Sequence, residues 1–393
     1  MTRVKININP DLLKWARDRA RYSEASLAKK VSVSLNTYEQ WESGDSFPTL
    51  RQLWNLVRAL NEPLQTFFMS EVPDEPEPLA ALRRIPGAPT GDESPDLAKQ
   101  VKLTVERRDI ALRLYLSLSE HPPSFDYSAK ITSNPELVGE AIRELLSISP
   151  EEQMSWRDTY RALREWRATL EKIGVLSFQI PYVSMNEMRG FSLSLKPLPI
   201  IAFNSHDEPA GRIFTIFHEL SHVISGESFL DPGEQPLVHL EAHSEVEQFC
   251  NKVAACILVP ADSLYSQSRA LSKGKESQWD DREVSLLSTR YCVSRAVMVR
   301  RLRELGLISR KSFNDLRQVY DNYIPAGSGE EGGNAYSNVL AWQGTLIPHL
   351  AFRAYYLNRL TVSELSSLLH LKVKKLGNLE ERVFGFNFAF GGS

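Results

Sequence analysis

The chain has 393 residues, enough for two to four domains, and an ordinary globular composition with 42% hydrophobic and 24% charged residues. A net charge of −3 exerts no global pull toward nucleic acid or membrane, so any basic surface must be local. Three cysteines, Cys250, Cys256 and Cys292, make no disulfide framework. With no signal-like N-terminus and no apolar stretch of spanning length, the expectation is a cytoplasmic protein with no membrane partner.

The first expected unit is residues 1–70, all helical. Leu12, Leu13 and Ala16 give one short apolar face, Leu27, Ala28 and Val31 the next, and Leu53, Leu56, Val57 and Leu60 another. Ser34 is placed to cap a helix carrying Tyr38 and Trp41. Residues 71–99 read as an acidic, proline-rich linker through Pro73, Pro76, Pro78, Pro86, Pro89 and Pro95. Residues 100–280 read as the core domain. It is helical to about 172, then shifts toward a period of two, with strands at 175–180, 191–195 and 200–203. A helix through 213–224 and another over about 243–258, stopped by Pro260, follow. Residues 281–324 form a helical appendix, 325–335 a glycine-rich linker, and 336–393 a last helical segment. The expected fold class is α+β, mainly α with a small β-sheet.

Residues 218–222 read His-Glu-Leu-Ser-His. On a helix the two histidines lie about one turn apart and point the same way. Two such imidazoles can supply half of a tetrahedral zinc shell, and Glu219 between them is placed to take a proton from an attacking water. Ile213, Ile216, Phe217, Leu220 and Ile224 fall on one side of the wheel. The histidines lie roughly 160° from the centre of that arc. The helix can therefore bury one face and aim its histidines elsewhere, whereas a structural histidine pair would share the apolar stripe.

A catalytic zinc needs a third protein ligand. Ser225 and Ser228 stand where a compact three-histidine motif would have Gly and His, leaving Glu241, Glu245 and Glu247 as carboxylate candidates. In the run 246–260, Glu247 and Asn251 share a direction away from the stripe of Val246, Phe249, Cys250, Val253, Ala254, Ile257 and Leu258. That pairing suits a ligand with a supporting amide; the alternative is a solvated helix residue. Tyr182, His206, His239 and His243 are candidates for stabilising an oxyanion.

Arg189-Gly-Phe-Ser, Pro199-Ile-Ile-Ala-Phe-Asn204, Phe214-Thr-Ile-Phe-His-Glu-Leu-Ser-His222 and Glu247-x-x-x-Asn251-x-x-Ala254-Ala-x-x-Leu-x-Pro260 occur in one order. Together they resemble the ImmA/IrrE family of metallo-endopeptidases over about 160–310. The resemblance implies a zincin-like core, His218, His222 and Glu247 as Zn2+ ligands, and Glu219 as general base. Phe249, Cys250 and Val253 depart from the family pattern without touching those positions.

Trp41-Glu42-x-Gly44-x-x-x-Pro48-x-x-x-x-Leu53 resembles the helix-turn-helix of XRE/Cro-type repressors over about 10–68. That fold would put the helix after Ser34 in the major groove. Asn36, Thr37 and Gln40 are then the base-reading candidates and Lys29 and Lys30 the phosphate contacts, while Glu39 and Glu42 would repel phosphates. A second helix-turn-helix-like pattern spans 286–308, where seven basic residues face one acidic residue over 290–311. It reads either as a nucleic-acid or acidic-partner surface or as a structural appendix.

The function these patterns imply is a DNA-associated zinc metallo-endopeptidase that cleaves a transcriptional repressor. DNA and a protein substrate are its partners, and a homodimer is compatible with it. The competing reading is a regulator whose peptidase fold senses a ligand or partner and cleaves nothing.

Overall fold

A computed structural model of the protein describes residues 4–73, 83–84, 93–226, 229–231, 245–321 and 334–385. They form two compact units, one from residues up to 73 together with 93–105, the other from 83–84 and from 106 onward.

The first unit is built on α1 (Pro10–Arg19), α2 (Glu24–Lys30), α3 (Leu35–Glu42) and α4 (Leu50–Leu60). Each helix starts at a side-chain cap: Asn9, Ser23, Ser34 and Thr49 accept backbone N–H groups of the first turn. Thr49 and Gln52 complete a reciprocal capping box. The apolar faces close on one core of Leu13, Ala16, Leu27, Tyr38, Trp41, Leu53, Leu56 and Phe67. Arg17 of α1 reaches across this core to Glu42 of α3, with Nε–Oε1 at 2.7 Å, and Tyr38 Oη donates to the same carboxylate at 2.7 Å.

The second unit contains a five-stranded sheet formed by β1 (Arg83–Arg84), β2 (Leu176–Ile180), β3 (Gly190–Leu193), β4 (Ile200–Asn204) and β5 (Phe229–Asp231) in the order β1-β5-β3-β4-β2. β2 pairs parallel with β4, in register Leu176 with Ile200, and β3 pairs antiparallel with both β4 and β5. β2, β3 and β4 are buried throughout, so they read as near-continuous apolar runs interrupted by buried Ser177, Gln179, Ser192 and Asn204. The three strands expected from the sequence are present with their ends moved by one or two residues.

Pro95 opens α5 (Pro95–Ser117), and α6 (Pro135–Leu146), α7 (Pro150–Trp156) and α8 (Thr159–Lys172) follow before the sheet. After it come α9 (Pro209–Ser225), α10 (Glu245–Leu258), α11 (Ala261–Ala270), α12 (Asp281–Tyr291), α13 (Arg295–Glu304) and α14 (Arg310–Asp321). One large core joins α6 through α14 to the sheet, with Trp166 packed edge-on against both Trp156 and Phe217. Val284, Leu287, Tyr291, Val297, Met298 and Leu302 belong to that core. The helix-turn-helix-like pattern at 286–308 is therefore an integral part of the unit. Among its basic residues, Arg301 is buried against Glu136 and the Val259 carbonyl, while Arg290, Arg295 and Arg303 bind Gln267, Asp281 and Glu276.

The C-terminal segment carries α15 (Ala335–Gln343), α16 (Leu346–Tyr356), α17 (Val362–Leu368) and α18 (Leu376–Phe384). α15 packs against β2, the outer strand on that side of the sheet, and so shields an edge that would otherwise invite pairing. Two side chains of α8, half-buried Arg167 and buried Glu171, anchor it. Arg167 donates to the Leu340 and Ala341 carbonyls near the end of α15. Glu171 accepts from the Thr345 and Leu346 N–H groups at the start of α16. A cation at a helix C-terminus and an anion at an N-terminus both match the helix dipole.

Candidate functional site

Pro209 sits in the first turn of α9, where its missing N–H costs nothing, and Gly226 ends the helix in the left-handed region at φ +80°. Ile213, Ile216, Phe217, Leu220 and Ile224 enter the large core as the wheel implied. The opposite face is covered too, because α10 packs along α9. His218 and His222 are consequently buried at 5% and 1% exposure.

α10 supplies the third member of the group. His218 Nε2 lies 3.3 Å from Glu247 Oε2, His222 Nε2 lies 3.3 Å from Glu247 Oε1, and the two Nε2 atoms are 3.2 Å apart. Burial works to raise the Glu247 carboxyl. Hydrogen bonds to His218 and His222, and their charge, prevail and hold it well below the usual carboxylate range. Glu247 is thus an anion at neutral pH. Among the described residues these three form the group able to hold a metal ion. The spacing fits zinc: ligand atoms about 2.05 Å from a tetrahedral centre are roughly 3.3 Å from one another. Glu245, two residues earlier, is exposed and outside the group; Glu241 lies outside the described residues.

Asn251 stands one turn after Glu247 and faces two ways. Its Nδ2 donates to the Glu247 carbonyl at 2.8 Å, and its Oδ1 lies 3.1 Å from His218 Nδ1. With a metal on Nε2, the ring proton would sit on Nδ1 and be donated to Asn251 Oδ1, an arrangement that holds the ring in place. His222 Nδ1 meets Cys250 Sγ at 3.6 Å, a contact that sequence reasoning passed over because Cys250 falls in the apolar stripe.

Glu219 is fully buried and turned toward β3. There Gly190 lets the strand pass close: a Cβ at that position would lie 3.1 Å from Glu219 Oε1. The Arg-Gly-Phe-Ser motif thus has a steric meaning that the sequence pattern did not disclose. Asn204, at the end of β4, donates to the Val183 and Met188 carbonyls and tethers the loop before β3. Of the oxyanion candidates, His206 binds Asn204 Oδ1 and Val183 O through its Nδ1, and Tyr182 is exposed. His239 and His243 lie outside the described residues.

In the first unit, Asn36 and Gln40 are exposed one turn apart on α3, and Lys29 and Lys30 are exposed on α2. The Thr37 hydroxyl is engaged with Ser34 Oγ at 2.7 Å. Glu42 departs from the sequence expectation: its side chain is turned inward and paired with Arg17, which leaves Glu39 as the exposed acid of α3.

Residues 171–303 match the family model of the IrrE N-terminal-like domain, and residues 13–67 match that of the helix-turn-helix. The first match runs from the end of α8 through most of α13 and includes His218, Glu219, His222, Glu247 and Asn251; the second takes in α2, α3 and α4. No curated protein matches the sequence. Among the described residues no helix is long and apolar enough to cross a membrane. The chain therefore joins an N-terminal helix-turn-helix domain, of the kind that binds DNA in transcription regulation, to a metallopeptidase-type domain of the ImmA/IrrE kind.

Proposed function

We propose that the protein is a zinc-dependent endopeptidase that acts beside DNA and cuts a transcriptional repressor. The observation that carries this reading is the convergence of His218 Nε2 and His222 Nε2, 3.2 Å apart, each 3.3 Å from one oxygen of the Glu247 carboxylate. His218, His222 and Glu247 are the zinc ligands, and Asn251 orients the first of them. A bound zinc ion supplies Lewis acidity and makes water acidic enough to attack at neutral pH. Glu219 takes the proton of the attacking water and returns it to the leaving amine. Its buried position beside β3 keeps the carboxylate away from bulk solvent.

The helix-turn-helix domain brings the peptidase to operator-bound protein, where tethering raises the effective concentration of substrate. In this reading Asn36, Thr37 and Gln40 face base edges, and Lys29 and Lys30 bind phosphates. Two copies on a pseudo-palindromic site would follow from the usual geometry of such domains.

The test compares wild type with Glu219→Gln. Wild type is expected to hold about one zinc per chain and to generate new protein termini in a repressor. The Glu219→Gln protein should keep its zinc and produce none. A wild-type protein that retains no zinc after reconstitution, or identical proteomes with and without the base, refutes the assignment. The second outcome would favour a regulator that senses through the same fold.

A further inference from the structure

His222 turns Nε2 toward Glu247 and His218, so in a metal-loaded site its proton resides on Nδ1. A buried N–H needs an acceptor. For His218 the acceptor is Asn251 Oδ1 at 3.1 Å. For His222, Cys250 Sγ lies 3.6 Å from Nδ1, within the longer reach of a sulfur acceptor. Cys250 is fully buried, and so is nearly all of His222. The neighbours on α10 are therefore not equivalent: Glu247 ligates, while Cys250 and Asn251 take up the outer nitrogens of the two histidines.

We propose that Cys250 is a positioning residue of this centre, its sulfur accepting the Nδ1–H of His222 as the Asn251 amide oxygen accepts that of His218. The proposal rests on the metal-site reading above. The other two described cysteines serve elsewhere: Cys292 Sγ lies on the Thr289 carbonyl, and the Cys256 Cβ packs where Gly139 makes room for it. Sulfur is a weak acceptor, so His222 is held more softly than His218. Its loss belongs at the low end of the tenfold to hundredfold range usual for groups that support metal ligands.

Three full-length proteins test this: wild type, Cys250→Val, which keeps the volume and removes the acceptor, and Cys250→Ser, which keeps an acceptor. Zinc affinity is measured by competition with a chromophoric chelator, and the cobalt-substituted proteins give the ligand-field spectrum. The valine protein is expected to bind zinc about tenfold more weakly and to show a shifted cobalt spectrum. The serine protein should stay within about threefold of wild type. Metal-free melting temperatures separate packing from ligand positioning, and Cys250→Ala replaces the valine variant if the latter does not fold. Equal weakening in the serine and the valine or alanine proteins, or no weakening in any, overturns the proposal. A wild-type protein that binds neither zinc nor cobalt overturns the metal-site reading itself.

Discussion

Gly190 of β3 packs directly against Thr215 of α9: a Cβ at the glycine would lie 2.5 Å from Thr215 Cγ2, with the Ala202 carbonyl oxygen at 3.0 Å and Glu219 Oε1 at 3.1 Å. Gly190→Ala must then displace the Thr215 side chain or the strand, and it crowds the Glu219 carboxylate one turn further along α9. A displacement of about 1 Å at a catalytic group can cost on the order of a hundredfold in rate. Gly190→Ala is expected to lower kcat tenfold to hundredfold while zinc stoichiometry stays at the wild-type value. Kinetics and metal analysis on one preparation check this, and an alanine variant with wild-type kcat would show that β3 does not position Glu219.

The His218, His222 and Glu247 group was legible as a candidate metal site in the sequence because a helix converts a spacing of four into a shared direction. His218 with His222, and Glu247 with Asn251, both use that rule. Gly190 and Cys250 were not legible in the same way. Their roles depend on which strand passes over Glu219 and which sulfur faces His222, and tertiary packing alone decides that. The three strands were readable as apolar runs, whereas their parallel and antiparallel pairing was not. The anchoring of the C-terminal segment was equally hidden: Arg167 and Glu171 look like ordinary charges on a helix until Leu340 and Thr345 are brought to them.

Glu42 and Glu39 lie three residues apart on α3 and should respond oppositely to neutralisation. Glu42 is paired with Arg17, with side chains exposed at only 8% and 10%. Removing one partner of a buried pair typically costs about 3 kcal/mol or more. Glu42→Ala is therefore expected to lower the melting temperature of the helix-turn-helix unit by several degrees. Glu39 is exposed, so Glu39→Gln should leave stability unchanged and strengthen nonspecific DNA binding, most visibly at low salt. Calorimetry with a salt titration of DNA affinity distinguishes the two; tighter DNA binding by Glu42→Ala would contradict the inward pairing.

Glu171 binds the first N–H groups of α16, at 2.9 Å from Thr345 N and 2.8 Å from Leu346 N, and also accepts from the Thr345 hydroxyl. Glu171→Gln would turn an amide N–H₂ toward donors that need an acceptor. The expected cost is about 2 kcal/mol, concentrated on residues 335–385. Hydrogen exchange should quicken first across α15 and α16, with protection in α9 and α10 kept. Uniform loss of protection through the whole second unit would mean that the C-terminal segment unfolds as one with α9 and α10.

Cys256 and Cys292 are expected to contribute to a loss of stability at alkaline pH. Burial, aided by the nearby Glu136, pushes the Cys256 thiol up to about 12, and burial beside Asp158 pushes Cys292 up to about 11, against 9.0 for an unperturbed thiol. Both folded-state values are raised, so the folded chain keeps protons that the unfolded chain releases. Their contribution is intact below pH 9, falls as pH rises from 9 toward 11 and 12, and is gone once the folded thiols ionise as well. The melting temperature should therefore decline across that window, and Cys256→Ala, which retains the Cβ packed beside Gly139, should flatten the decline. Both thiols should also resist alkylation at neutral pH in the native protein, because the thiolate is the reacting form. Rapid labelling of Cys256 at pH 7, or an alkaline limb unchanged by its replacement, would contradict this account.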